Sequence, residues 1–125
     1  MLIDTDVLIW YMRGNEKAFD TVRSSGSFSI SAVTFMELAQ GMRNKREMAA
    51  LRKALTSWNT EILQISEEIS AKAMHYVEQH CLSHAMQLAD ALIGATAAVR
   101  SIPLLTGNEK HYRVIKEIEI RKFIP

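Results

Sequence analysis

One aspartate, Asp90, carries the only charge in a twelve-residue segment, 88–99, whose other residues are apolar or small. A helix that is hydrophobic on every face is a buried helix. A buried carboxylate is costly unless a cation, a metal or several hydrogen-bond donors meet it. No Lys or Arg lies near Asp90 on the same segment. Either a distant basic side chain pairs with Asp90, or Asp90 belongs to a site that holds a cation.

The other acids fall where an α/β fold gathers its functional groups. Asp4 and Asp6 end the first apolar strand, Glu37 follows the second strand by seven residues, and Asn108 follows the fourth. Ligands in such folds bind at the carboxyl ends of the strands, so we expect these acids and Asp90 to converge there. Clustered carboxylates repel one another unless a cation joins them, and hard oxygen ligands suit Mg²⁺ or Mn²⁺ better than zinc.

Most of these residues also have a purely structural interpretation. Asp6 could be the N-cap of the first helix, and Asn108 could cap the helix that follows it. Residues 34–37 match a capping box in which Glu37 folds back onto the backbone, although Ser31 lies closer to the strand and competes for the cap. Asp4 has the fewest alternatives, because it directly follows buried apolar residues.

Short apolar strands alternate with helical segments along the whole chain. This pattern predicts one α/β domain, residues 1–125, with a mostly parallel central sheet flanked by helices. The predicted strands are 1–3, 28–30, 61–65, 104–106 and 118–120. The predicted helices are 7–12, 16–23, a segment carrying 35–42, 45–58, a helix capped by Ser66, the Asp90 helix ending before Pro103, and 109–115.

The composition limits the class of protein and the compartment in which we expect it. The 125 residues are 48% apolar and 23% charged, which is ordinary for a globular domain. Cys81 is the only cysteine, which excludes an internal disulfide and fits a reducing cytosol. No segment has the pattern of a signal peptide or a membrane span, so we expect a cytoplasmic protein with no membrane contact.

Two smaller clusters each allow a functional and a structural interpretation. Five of the fifteen basic residues lie within 43–53. They could form a solvated helix face or a rim that contacts phosphates. The net charge of +1 does not by itself indicate a nucleic-acid binder. His80, Cys81 and His84 have the spacing of zinc ligands but lack a fourth ligand. We interpret these three as the tail of a helix.

Four motifs, in order along the chain, resemble those of PIN domains. Residues 2–9, LIDTDVLI, resemble the first motif, and residues 31–38, SAVTFMEL, resemble the second. Residues 88–97 resemble the third motif, and residues 106–112, TGNEKHY, resemble the fourth. The length is similar to that of stand-alone bacterial VapC-type toxins. The chain departs from many relatives at Asn108, where they carry an aspartate.

The resemblance implies a Mg²⁺- or Mn²⁺-dependent endoribonuclease, the toxin of a toxin–antitoxin pair, which hydrolyses RNA to 3′-hydroxyl and 5′-phosphate products. It also implies a cognate VapB-type antitoxin as partner and a homodimer. Asp4, Glu37 and Asp90 would be the catalytic metal ligands, and Asp6 and Asn108 would support them. Because Asn108 replaces an acidic ligand, the resemblance gives less support to a mechanism with two metal ions.

Two other functions remain as alternatives. Residues 4–6, Asp-Thr-Asp after an apolar strand, also resemble the nucleophile motif of haloacid-dehalogenase-type phosphatases, but the chain lacks a later acidic pair near the fourth strand and has little room for a cap domain. A catalytically inactive PIN-like scaffold that binds RNA or protein is the non-enzyme alternative. Retention of Asp4, Glu37 and Asp90 together argues against it, because an abandoned site has no reason to keep a repulsive cluster.

Overall fold

The computed structural model describes every residue of the chain, Met1–Pro125. The strands are β1 (Leu2–Ile3), β2 (Ser29–Ser31), β3 (Glu61–Leu63), β4 (Leu104–Thr106) and β5 (Ile120–Lys122). The helices are α1 (Thr5–Met12), α2 (Glu16–Ser24), α3 (Ala32–Gln40), α4 (Lys45–Ser57), α5 (Glu67–His84), α6 (Leu88–Arg100) and α7 (Glu109–Tyr112). None of the helices is both long and apolar enough to cross a bilayer.

The strands form one sheet in the order β3-β2-β1-β4-β5, and every neighbouring pair is parallel. The α/β class and the parallel sheet predicted from the sequence are thus confirmed. The chain builds outward from β1 in one direction through β2 and β3, and in the other direction through β4 and β5. The sheet therefore has its topological switch point between β1 and β4, where folds of this kind open a crevice at the strand ends.

Side chains alternate between two cores, one on each face of the sheet. Leu2 and Leu104 pack into a core shared with α5 and α6, whereas Ile3 and Leu105 pack into a core shared with α1, α2 and α4. This alternation follows from the two-residue period of a strand. Both faces of the sheet are covered, as a parallel sheet requires.

The last strand lies two residues later than the alternation of 118–120 predicts. The backbone N–H of Leu104 donates to the carbonyl of Glu119, and the N–H of Phe123 donates to the carbonyl of Thr106. Pairing with β4 thus sets the register of β5, and Ile118 instead packs against the α5–α6 core from the preceding turn.

Helix α6 is buried over most of its length, as its composition predicts, but its first turn reaches the surface. Ile93, Ala95 and Ala97 are buried in the core, while Leu88 is 71% exposed. The expectation that every face is covered is therefore wrong at the amino end. The side chain of Asp90 is 16% exposed, so it opens toward solvent at the carboxyl edge of the sheet.

Candidate active site

Asp4 lies immediately after β1 and is almost fully buried, with 5% of the residue exposed. Its Oδ1 accepts a hydrogen bond of 2.8 Å from the backbone N–H of Thr5, so that Asp4 is the N-cap of α1. Its Oδ2 accepts a bond of 2.7 Å from the hydroxyl of Thr106 at the end of β4. The same carboxylate therefore starts a helix and joins the two strands that flank the switch point.

Asp6 lies in the first turn of α1, and its proposed role as the cap is wrong because Asp4 takes it. Its Oδ2 accepts a bond of 2.9 Å from the backbone N–H of Gly107. A Cβ at position 107 would lie 2.6 Å from that oxygen, so only glycine allows this approach. Oδ1 of Asp6 is buried and has no hydrogen-bond partner. Such an orphaned carboxylate oxygen is costly unless a ligand meets it.

Glu37 reaches the same edge from α3. Its Oε1 accepts a bond of 2.7 Å from the hydroxyl of Thr5, which itself lies 2.9 Å from the hydroxyl of Thr34. The capping-box interpretation of Glu37 is wrong, because Ser31 caps α3 by accepting a bond of 3.0 Å from the N–H of Val33. The hydroxyl of Thr5 thus links Glu37 to the segment that follows β1.

Asp90 has no Lys or Arg partner. Its basic neighbour is His111, whose Nδ1 lies 3.6 Å from Oδ1 of Asp90, within the range of an ion pair when the imidazole is protonated. That distance exceeds a good hydrogen bond. Asp4, Asp6 and Glu37 form no salt bridge.

Asn108 is half-buried directly after Gly107, and its side chain does not cap α7. Its backbone N–H donates a hydrogen bond of 2.9 Å to the hydroxyl of Thr106, the same hydroxyl that donates to Asp4. Asn108 therefore lies one residue from the contact that fixes Asp6, beside the acids.

Burial and like charge act together on the two aspartates of α1. Burial, and next the charge of Asp6, raise the pKa of Asp4 to about 7, against the opposing hydrogen bonds from Thr106 and Thr5. Burial also raises the pKa of Asp6, although the bond from Gly107 opposes it. Two carboxylates with raised pKa values in one cleft are typical of functional sites.

Tyr112, Thr5 and Thr106 were not singled out as site residues from the sequence. Tyr112 is 1% exposed, and burial followed by the charges of Asp4 and Asp90 raises the pKa of its phenol. The phenol is therefore neutral, and it lies close enough to both acids for their charges to act on it. The signal was present in the fourth motif, which contains both Thr106 and Tyr112, but hydroxyls have no periodic pattern that marks them.

The donor set fits a hard divalent cation in its chemistry. It consists of carboxylate oxygens, one of them orphaned, with no thiol and with His111 only at its margin. No three acidic, histidine or cysteine side chains already surround a single point. Glu37 is instead directed to Thr5, and both oxygens of Asp4 accept hydrogen bonds from the protein.

Neither of the two smaller clusters forms an ion pair with these acids, although Arg43 lines the same groove as Glu37. His84 is the last residue of α5, as expected of a helix tail, and its ring centroid lies 5.6 Å from that of His80. On α4 and the turn before it, Arg43 pairs with Glu47 at 2.7 Å and Arg52 lies 4.4 Å from the ring centroid of Phe35. Two of the five basic residues there are thus engaged within the protein.

The PIN domain family model matches residues 1–117. The chain is 32% identical over 123 residues to Ribonuclease VapC10 of Mycobacterium tuberculosis, covering 95% of the chain and 90% of the relative. It is 28% identical over 122 residues to Ribonuclease VapC1 of Methanocaldococcus jannaschii, covering 97% and 85%.

Solved structures show the same architecture. A toxin-antitoxin complex from Klebsiella pneumoniae superposes with a TM-score of 0.78 at 27% identity, covering 94% of this chain and 93% of that one. VapBC2 from Rickettsia felis, bound to a DNA fragment from its promoter, gives 0.81 at 14% identity, covering 98% of both. Fold, sequence and motif order agree, and the chain belongs to the PIN domain family.

The raised pKa of Asp4 predicts how stability depends on pH in EDTA. The folded-state pKa of about 7 exceeds the ordinary value of 3.8, so the folded protein binds the proton more tightly than the unfolded chain. Asp4 therefore destabilises the fold progressively as the pH rises between these values. Between about pH 5 and pH 8, wild type should lose about 1–3 kcal/mol more unfolding free energy than Asp4→Asn. Urea denaturation measures this difference, and parallel pH profiles for the two proteins would contradict it.

Proposed function

We propose that the protein is a divalent-metal-dependent endoribonuclease, the toxin of a toxin–antitoxin pair. The observation that carries this proposal is a set of four acids at the switch point of the sheet, none paired with Lys or Arg: Asp4, Asp6, Glu37 and Asp90. Membership of the PIN domain family, and the name ribonuclease on its relatives VapC10 and VapC1, support RNA as the substrate.

Within this proposal, Asp4, Glu37 and Asp90 hold the cation, Mg²⁺ or Mn²⁺. Asp6, fixed by Gly107, and Asn108 support it by orienting ligands and water. When bound, the cation supplies Lewis-acid polarisation of the phosphodiester and activation of water.

The phenol of Tyr112 and the hydroxyl of Thr106 are positioning groups in this scheme. Thr106 donates to Oδ2 of Asp4 and leaves the carboxylate little rotational freedom. Tyr112 places a neutral group close to Asp4 and Asp90, whose charges both act on it. Membership of the PIN domain family disfavours the phosphatase alternative.

Cleavage assays separate a nuclease from an inactive scaffold. Wild type should cleave RNA with Mg²⁺ or Mn²⁺ and stop with EDTA. Asp4→Asn, Glu37→Gln and Asp90→Asn should each lose at least about 100-fold in rate, since each removes a cation ligand. The matched control is Asp20→Asn, an exposed acid on α2. No cleavage by wild type, or cleavage by all three variants in EDTA, would contradict the proposal.

An apolar groove beside Glu37 supports an antitoxin as the partner. The groove has a volume of about 880 Å³ and runs between α1, α3 and α4. Nine of its fourteen lining residues are hydrophobic, among them Met12, Met42 and Trp58. The groove fits the apolar face of an amphipathic helix, and a basic residue of that helix could pair with Glu37 at its end. The Klebsiella pneumoniae relative is itself described as a toxin-antitoxin complex.

We further propose a homodimer in the cytoplasm. Exposed apolar side chains on α5 and α6, Met74 and Leu88, each 71% exposed, flank a second groove of about 330 Å³ and support self-association through that face. Cys81 is a free thiol, which is consistent with a reducing compartment.

Substitution in the large groove tests the antitoxin site. Ala50 lines the groove, whereas its neighbour Ala49 is equally exposed on α4 but does not. Ala50→Glu buries a charge under the docked helix, so it should weaken capture of the antitoxin encoded beside this chain by at least about tenfold. Ala49→Glu should bind as wild type does. Co-purification and titration calorimetry measure both variants, and equal binding by Ala50→Glu would place the antitoxin elsewhere.

A further inference from the structure

A second, polar pocket opens beside the acids, at the carboxyl ends of β4 and β5. It has a volume of about 360 Å³, and only two of its nine lining residues are hydrophobic. Three of the nine are basic: Lys110, Arg113 and Lys122. We call it the basic pocket.

The basic pocket shares a wall with the acid site. Thr106, Gly107 and Asn108 line it. The hydroxyl of Thr106 donates to Asp4, and the N–H of Gly107 donates to Asp6. A group bound in the pocket therefore lies directly next to the carboxylates, on the same edge of the sheet.

The pocket has an excess of positive charge. Lys122 pairs with Glu109 at 2.9 Å, so their charges largely cancel. Lys110 and Arg113 are exposed and form no salt bridge with any carboxylate. Two unpaired cations thus stand beside four acids that would by themselves repel a polyanion.

We propose that the basic pocket binds the RNA backbone next to the phosphodiester that is cleaved, with Lys110 and Arg113 as positioning residues that each contact one phosphate. This inference rests on the ribonuclease function proposed above. The scarcity of apolar surface in the pocket favours a phosphate over a stacked base. The basic residues of 43–53 are less suited to this role, since Arg43 is paired and lines the groove assigned to the antitoxin, and Arg52 lies over the ring of Phe35.

The test compares two double variants of equal charge change. Lys110→Gln with Arg113→Gln removes the two free cations of the pocket. Arg100→Gln with Lys116→Gln removes one arginine and one lysine that are also exposed. Arg100 is the last residue of α6 and Lys116 follows α7, and neither lines the basic pocket. Because both pairs lower the net charge equally, long-range attraction to RNA changes alike.

Binding of a single-stranded RNA of about twelve nucleotides is measured in the Asp90→Asn background across a range of salt. Loss of two phosphate contacts should lower the slope of log K against log salt by about 1.4, since each contact contributes about 0.7. The dissociation constant should rise roughly 10- to 30-fold near 0.1 M salt, and the control pair should keep the parental slope. In cleavage by the otherwise wild-type protein, the pocket pair should raise KM more than it lowers kcat.

The outcomes separate this inference from the ribonuclease function. If wild type cleaves RNA but the pocket variant lowers the salt-dependence slope no more than the control variant does, the phosphate role of the basic pocket is refuted and the ribonuclease function is retained. If wild type cleaves no RNA but only the pocket variant lowers the slope, the ribonuclease function is refuted and the phosphate role of the pocket is retained. Competition by inorganic phosphate alone, with no RNA effect, would overturn the RNA assignment. Should the double variant unfold, Lys110→Gln alone should lower the slope by about 0.7.

Discussion

The buried carboxylate of Asp4 is the constraint on which the rest of the site depends. It follows β1, caps α1 and accepts a hydrogen bond from the hydroxyl of Thr106 at the end of β4. Asp4 therefore lies at the switch point between β1 and β4, where the strand order of the sheet reverses. Its structural role and its chemical role cannot be separated, because the contacts that fix it also bury it and raise its pKa. A protein that stabilised only its fold would have little reason to place a second acid, Asp6, beside it.

Charge is distributed across the carboxyl edge in a way that suits a polyanionic substrate. None of the acids pairs with Lys or Arg, the basic pocket on one side carries two free cations, and the apolar groove lies on the side of Glu37. A cation at the acids and cations in the pocket would together offset the negative charge of RNA. Thr106 and Gly107 belong to both the acid site and the pocket wall, which couples the position of one to that of the other.

The sequence predicted the class of fold well, because apolar strands at regular intervals favour a parallel sheet. It also indicated that polar residues follow β1 and β4, and in the structure Asp4 and Thr106 meet there. It was less informative about how those residues are held. Which of Asp4 and Asp6 caps α1 depends on the approach of Gly107 from β4, a contact between residues 101 positions apart. The hydroxyls of Thr5 and Thr106, the phenol of Tyr112 and the register of β5 likewise depend on packing between distant segments, which local patterns do not encode.

The central claim is that these acids form a cation site, and equilibrium unfolding of wild type and Asp90→Asn, with EDTA and with Mg²⁺, tests it most directly. Without metal, the substitution removes a negative charge that acts on Tyr112 together with that of Asp4, so the variant should be at least as stable as wild type. Mg²⁺ should then stabilise wild type by mass action and leave the variant nearly unchanged, while the exposed control Asp20→Asn follows wild type. Destabilised Asp90→Asn in EDTA, together with no effect of Mg²⁺ on wild type, would show that Asp90 is a structural partner of His111 and contradict the account.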